Sequence, residues 1–217
     1  MTTNDTQQMR DFVEAAIANL IQIEGNLLKL GYKFANEQGA IKRIPPNTNS
    51  GLAELKHEYE QLPDFFVAWY DRIEFVDFSQ HEGQLIEPSE NPIAGLGLNC
   101  TMVFGSLSTR RERQTTLEAT GFQCKTADGN VFVPLGTYAS NSMPKGLWLP
   151  DNSRDPIIYD AGAGPVSMIE EITRAIRAGG FPFWEVMFTK RRISSPIPNT
   201  PRYRDILPAL LEGVVAM

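Results

Sequence analysis

The side chains able to do chemistry are few and scattered along this 217-residue chain. Glu170 and Glu171 are adjacent carboxylates on a helical segment whose apolar positions point elsewhere, whereas acid–base work needs carboxylates held at different pKa values in a cleft. They read as a solvated face. The histidines His57 and His81 stand 24 residues apart, each beside an acid (Glu58, Glu82), with no further ligands at metal-binding spacing. Cys100, in the apolar run LNCTMVF, and Cys124, just after Gly121-Phe122, show no CxxC or Cys/His spacing and read as buried structural thiols. No GxSxG elbow anchors a hydrolase. Gly162 and Gly164, in AGAGP, lie between a strand and a helix, where a phosphate-binding loop would sit. No third glycine and no Lys-Ser/Thr follow, so a turn is the better reading. The sequence therefore predicts no catalytic residue, no metal and no cofactor.

Charge is the stronger signal. Arg110, Arg111 and Arg113 cluster near a helix start, where positive charge opposes the macrodipole. The first reading is a solvated face; the alternative is compensation by a partner or by internal carboxylates. Between Glu54 and Glu90 ten acids stand against two bases, a segment charge of −8 in a chain of formal charge −6. Such a run is either plain solvated surface or a surface that steers a basic protein into contact. The acidic balance argues against a nucleic-acid binder. The polar N-terminus lacks a signal-peptide core, and no run approaches the ~18 apolar residues of a membrane span, so a soluble cytoplasmic protein is expected.

The elements that must position these groups follow from periodicity and punctuation. Phe12, Ala16, Leu20, Ile23 and Leu27 recur at helical spacing and predict one amphipathic helix over Thr6 to Gly31, core-facing or an arm, closed by Gly31. YKFANEQGAIKRIPPNTNSG, whose Pro45-Pro46 and Asn/Ser/Gly cluster cannot continue a helix, reads as a linker. Ser50 is a candidate N-cap for a helix through Leu52, Leu55 and Tyr59. A second helix starts at Pro63 and aligns Phe66, Trp69, Tyr70 and Ile73. EFVDF alternates as a strand, Ser79 to Gly97 reads as a surface loop, and LNCTMVFG reads as a strand. A helix from Arg110 to Ala119 ends at Gly121. Three strands follow, VFVPL, GLWL and PIIYDA, bounded by Asp128-Gly129, Pro144, Gly146 and Asp155-Pro156. Pro165 opens a helix whose stripe is Val166, Ile169, Ile172 and Ile176, stopped by Gly179-Gly180. FPFWEVMF is a short buried helix or strand, and a short helix from Arg204 meets Pro208. Short turns between successive strands favour an α+β fold, a mainly antiparallel sheet flanked by helices with an N-terminal helical arm.

The succession LPDFFVAWYDRIEFVDF, VFVPLG, GLWLPDNSRDPIIYDAGAGP and a helix ending ITRAIRAGG resembles the SUKH superfamily, the Smi/Knr-like proteins. Leu62, Pro63, Phe66, Tyr70, Gly136, Gly146 and Pro156 are the matching positions, and the likeness runs from Leu52 to Gly180. The family's Gly-rich turn after the first helices is replaced here by Arg72-Ile73-Glu74. The resemblance implies a cytoplasmic α+β binding protein; bacterial members are commonly immunity proteins that neutralise toxins, often nucleases, and fungal members act in regulatory complexes. The domain division expected on this basis is an N-terminal helix and linker over residues 1–45, a SUKH-like domain over 46–190 and a tail over 191–217.

The leading expectation is a non-enzymatic module that approaches a basic, toxin-like protein through Asp64, Asp71, Glu74, Asp77, Glu82 and Glu87, with an apolar anchor from the loop Ser79 to Gly97. No nucleic acid and no membrane are expected as partners. A regulatory or scaffold protein of the same fold, or an enzyme or small-ligand binder with a site at the sheet edge near Cys124, Trp148 and Tyr159, are the alternatives.

Overall fold

The computed structural model describes residues 3–85, 102–137, 144–160, 164–182 and 203–217. It is an α+β protein with two antiparallel sheets. The chain forms two units. One comprises Met1–Met9, Lys42–Val76 and Val103–Glu170; the other comprises Arg10–Ile41, Asp77–Met102 and Glu171–Met217. Among the described residues no helix is long and apolar enough to cross a membrane.

In the first unit, α2 (Ser50–Glu58) and α3 (Asp64–Tyr70) lie in the chain between the first two strands of a three-stranded sheet, whose order is β1 (Ile41–Arg43), β2 (Ile73–Asp77), β3 (Val103–Phe104). The short helix α4 (Glu82–Leu85) lies between β2 and β3 in the chain, and after β3 a 3₁₀ turn (Leu107–Thr109) leads into α5 (Arg110–Ala119). A second sheet is the meander β4 (Val131–Thr137), β5 (Pro144–Leu149), β6 (Ile157–Asp160), β7 (Gly164–Ser167), antiparallel throughout. Alternation along these strands buries Val133, Leu147, Leu149, Ile158 and Val166 on one face. Phe65, Trp69 and Phe104 continue the unit's core, with ring centroids 6.4 Å and 6.0 Å apart in successive pairs. Lys145, also buried, sets its Nζ 4.6 Å from the centre of the Phe104 ring.

Asn49 fastens α2 to the segment after α3. Its Oδ1 accepts from the Leu52 N–H at 3.0 Å, while its Nδ2 donates to the Tyr70 carbonyl at 2.9 Å and the Ile73 carbonyl at 3.3 Å. The residue is both an N-cap and a buried bridge. Asn49→Ala should therefore cost about 1 to 2 kcal/mol by chemical denaturation, with Asn49→Asp recovering only part, because it restores the acceptor and not the donor.

In the second unit, α1 (Thr3–Lys29, from its third turn onward) turns Val13, Ala16, Ile17, Leu20, Ile23 and Leu27 inward, each at most 1% exposed. The helix is core-facing, as one of the two readings of its spacing required. Gly31 closes it at φ 85°. Tyr32, Phe34, Phe78 and Phe181 form an aromatic cluster, and the Tyr32 hydroxyl donates to the Phe78 carbonyl at 2.6 Å. Buried Asn19 and Asn26 bind the backbone of the C-terminal segment: Asn19 exchanges two hydrogen bonds with Val215, and Asn26 donates to the Leu210 and Glu212 carbonyls. Of the last two helices among the described residues, α6 (Met168–Arg177) begins in the first unit and is followed by Gly179 and Gly180, both with positive φ, and α7 (Tyr203–Leu210) leads into that C-terminal segment.

Several expectations need correction. The stretch read as a linker contains β1, because pairing with β2 outweighs its weak local propensity. The helix expected from Pro165 starts at Met168; Pro165 lies in β7, a fourth strand that turns the meander back on β6. Proline is tolerated there because β7 is an edge strand. Ser50 is the first helical residue and Asn49 the cap. Val166 belongs to β7 and Ile169 is half-buried, so the buried stripe of α6 is Met168, Ile172, Ala175 and Ile176. Glu171 falls on that stripe and is buried, with Arg174 3.8 Å away, whereas Glu170 is exposed as expected. Neighbours on a helix point ~100° apart, so two adjacent carboxylates do not share a face.

Candidate functional site

The three arginines at the head of α5 do not form a solvated face. Arg110 is buried and donates to Glu54 at 3.0 Å and Glu58 at 2.5 Å, both on α2. Arg111 stays exposed and donates to Glu58 at 2.6 Å. Arg113 reaches back to the carbonyls of Ser106 (2.7 Å) and Pro134 (3.1 Å), and burial pulls its guanidinium below the ordinary value. Internal carboxylates thus offset the charge at this helix start, the alternative that the sequence left open. Burial pushes the Glu58 carboxyl up, but hydrogen bonds from Arg111 and Arg110 outweigh it and hold the group below its ordinary value. Two of the ten acids of the run therefore serve the fold.

The six acids expected to meet a partner are placed as follows. Asp64, at the first turn of α3, is exposed. Asp71 accepts from the Asn47 N–H at 2.7 Å, and Glu74 accepts a hydrogen bond from the Ser106 hydroxyl. These three belong to the first unit. In the second, Asp77 accepts from the Ser79 N–H at 2.9 Å, and Glu82 is exposed at the start of α4. Glu87 lies outside the described residues, as do Cys100, Gly162 and most of FPFWEVMF. Three of the six therefore hold local backbone or side-chain geometry, and Asp64 and Glu82 present their carboxylates to solvent.

His57 and His81 are both exposed, and the His81 Nδ1 accepts from the Gly83 N–H at 3.1 Å. Among the described residues no group of three or more metal-ligating side chains converges. Cys124 is 1% exposed, packed with Leu117, Phe122, Phe132 and Trp148. Burial, with a smaller contribution from Glu118, pushes its thiol up, opposite to what an activated nucleophile requires.

The second sheet presents a different kind of surface on the face away from its core. Residues opposite each other in an antiparallel ladder share a face, and the register Phe132↔Trp148, Pro134↔Gly146, Gly146↔Tyr159, Tyr159↔Pro165 and Ile157↔Ser167 assembles one. At one end the rings of Phe122, Phe132 and Trp148 pack with centroids 5.0 Å and 5.2 Å apart. At the other, Ile157 and Tyr159 are 43% and 45% exposed and Pro165 is exposed as well, with Trp148 half-buried. Gly146 lies between them, because a Cβ there would strike the Phe132 ring and the Val133 carbonyl. An aromatic and aliphatic surface on a hydrogen-bonded sheet is rigid before anything binds, which lowers the ordering cost of association.

Sequence reasoning named Trp148 and Tyr159 as the edge of a small-ligand site and missed Ile157 and Pro165. Residues two apart in a strand share a face, so Ile157 goes with Tyr159, but which face α5 covers is a tertiary matter. No protein-family model matches the chain, and no curated protein or solved structure matches it.

Proposed function

We propose that this protein is a cytoplasmic, non-enzymatic protein-binding module of the immunity type, which neutralises a basic, toxin-like protein by direct contact. The observation that carries the reading is the open sheet face of Trp148, Ile157, Tyr159 and Pro165, an apolar anchor in a chain whose charge is acidic. Protein interfaces draw affinity from a few desolvated aromatic groups and draw association rate from surrounding charge. Of the six acids expected to meet the partner, Asp64 and Glu82 are exposed among the described residues and are assigned to steering. The likeness of Leu52 to Gly180 to the SUKH superfamily supports the same reading. The anchor is assigned to the sheet face, where Tyr159 is exposed; most of the Ser79 to Gly97 loop lies outside the described residues.

The test is co-purification of the tagged protein from its native cell extract at low and high salt, beside Tyr159→Ala and Asp64→Lys variants. A basic protein should be retained by the wild type, lost as salt rises, and bound about 30-fold more weakly by Tyr159→Ala, the loss expected for an interface hot spot. Asp64→Lys should slow association with little change in dissociation. Equal retention by the wild type and Tyr159→Ala would sink the proposed anchor.

A further inference from the structure

A cleft of ≈ 430 Å³ opens in the first unit, where α2 and α5 meet β4 and the residues just before it. Its floor is apolar, formed by Leu55, Val131, Val133 and Pro134. The polar lining divides into groups already used and groups still available. Arg110 and Glu58 are engaged with each other, which fixes one wall. Arg111 commits only Nη2 to that pair, is 71% exposed, and keeps most of its five N–H donors for a ligand. On the same lining, Lys125, Gln114 and Glu118 have no side-chain partner among the described residues. Lys125 is held in place through its backbone, which bridges to Val131.

The charges select the ligand. Three cations (Arg110, Arg111, Lys125) and two carboxylates (Glu58, Glu118) line the cleft, and Glu54 beside it pairs with Arg110, so the charges balance and what stays available for a ligand is the spare donors of Arg111 and the Lys125 ammonium. Those two donor groups suit one carboxylate, whereas a phosphate dianion would bring two negative charges beside Glu58 and Glu118. The volume suits a small molecule or a single residue of a chain.

We propose that this cleft binds a ligand joining one carboxylate to an apolar group, the carboxylate between Arg111 and Lys125 and the apolar group on Leu55, Val131 and Val133. Such chemistry has two sources, a free apolar amino acid or the C-terminal residue of a peptide. Glu118 separates them, since it accepts the ammonium that only the free amino acid carries. Arg111 is preorganised by Glu58, so little ordering is required when the carboxylate arrives. The site is independent of the sheet-face reading above, and the Tyr159→Ala variant should retain it in full.

The experiment is a titration of isotope-labelled full-length protein, followed by amide chemical shifts, with N-acetylleucine, free leucine, N-acetylleucinamide and inorganic phosphate. The two acids should shift amides of α5 and of the Lys125 to Val133 segment, and the neutral amide should bind about tenfold or more weakly, as expected without one charge-assisted hydrogen bond. Lys125→Gln and Arg111→Gln, both at exposed positions, should weaken N-acetylleucine by about tenfold each while leaving the remaining spectrum unchanged. Tighter binding of free leucine assigns the site to amino acids, and tighter binding of N-acetylleucine assigns it to chain termini. The proposal is overturned if the amide or phosphate binds as well as the acids, or if millimolar acid leaves the cleft amides unmoved.

Discussion

Removing both carboxylates that face Arg110, in a Glu54→Ala, Glu58→Ala double variant, should destabilise the protein by about 3 to 5 kcal/mol, the cost of stranding a buried charge. The asymmetry of exposure makes this prediction specific. The Arg110 side chain is 5% exposed, against 55% for Glu54 and 33% for Glu58. Without its acids the guanidinium is left mostly buried with its charge uncompensated. Without Arg110 the carboxylates reach water, so Arg110→Met should cost only about 1 to 2 kcal/mol, the net worth of a hydrogen bond whose remaining partners return to solvent. Urea unfolding of the two variants side by side checks the order, and equal destabilisation would show that water reaches Arg110.

The same cluster gives a pH dependence. The Glu58 carboxyl is held below its ordinary value of 4.5. A depressed carboxylate contributes stability that is fully present above the unfolded value and is lost as pH falls through the folded one. The gap in stability between wild type and the double variant should therefore be constant near neutrality and narrow below the ordinary carboxylate range. A gap that held constant into strong acid would assign the destabilisation to packing.

The second large effect concerns a glycine where helix propensity points the wrong way. Gly51 sits in the first turn of α2, where alanine would ordinarily gain about 1 kcal/mol. A Cβ there would lie 2.5 Å from the Leu107 carbonyl carbon and 2.7 Å from the Ser108 nitrogen, both backbone atoms. The turn cannot retreat easily, because Arg113 grips the Ser106 carbonyl and Leu107 is fully buried. Gly51→Ala should thus destabilise by about 2 to 3 kcal/mol, an overpacking cost that exceeds the propensity gain. Gly25, in the interior of α1, has nothing within 4 Å of its would-be Cβ. Gly25→Ala should stabilise by about 0.5 to 1 kcal/mol. Thermal unfolding should move the two variants in opposite directions, and a shared direction would show that the Leu107 turn yields to the added methyl group.

Much of the local structure was legible from residue order. The spacing of Phe12, Ala16, Leu20, Ile23 and Leu27 specified α1, and Gly31, Gly121 and Gly179 marked helix ends that the backbone confirms with positive φ. Asp128-Gly129 marked the turn before β4, where Gly129 has φ 86°. These signals work because periodicity and left-handed conformations are decided within a few residues.

What lay beyond the sequence depends on partners distant along the chain. Both readings of the acidic run, solvated or partner-steering, put its carboxylates toward solvent, yet Glu54 and Glu58 serve Arg110, 56 and 52 residues away. Glu171 looked solvated beside Glu170, and its place on the inner stripe of α6 buries it. β1 and β7 were missed because their residues are poor strand formers alone and are held by the strand beside them. The open face of Ile157 and Tyr159 and the cleft beside Arg111 followed the same rule. Alternation assigned side chains to faces, but only the packing of α5 decided which part of the second sheet is covered, because burial is a property of the assembled elements and not of any one of them.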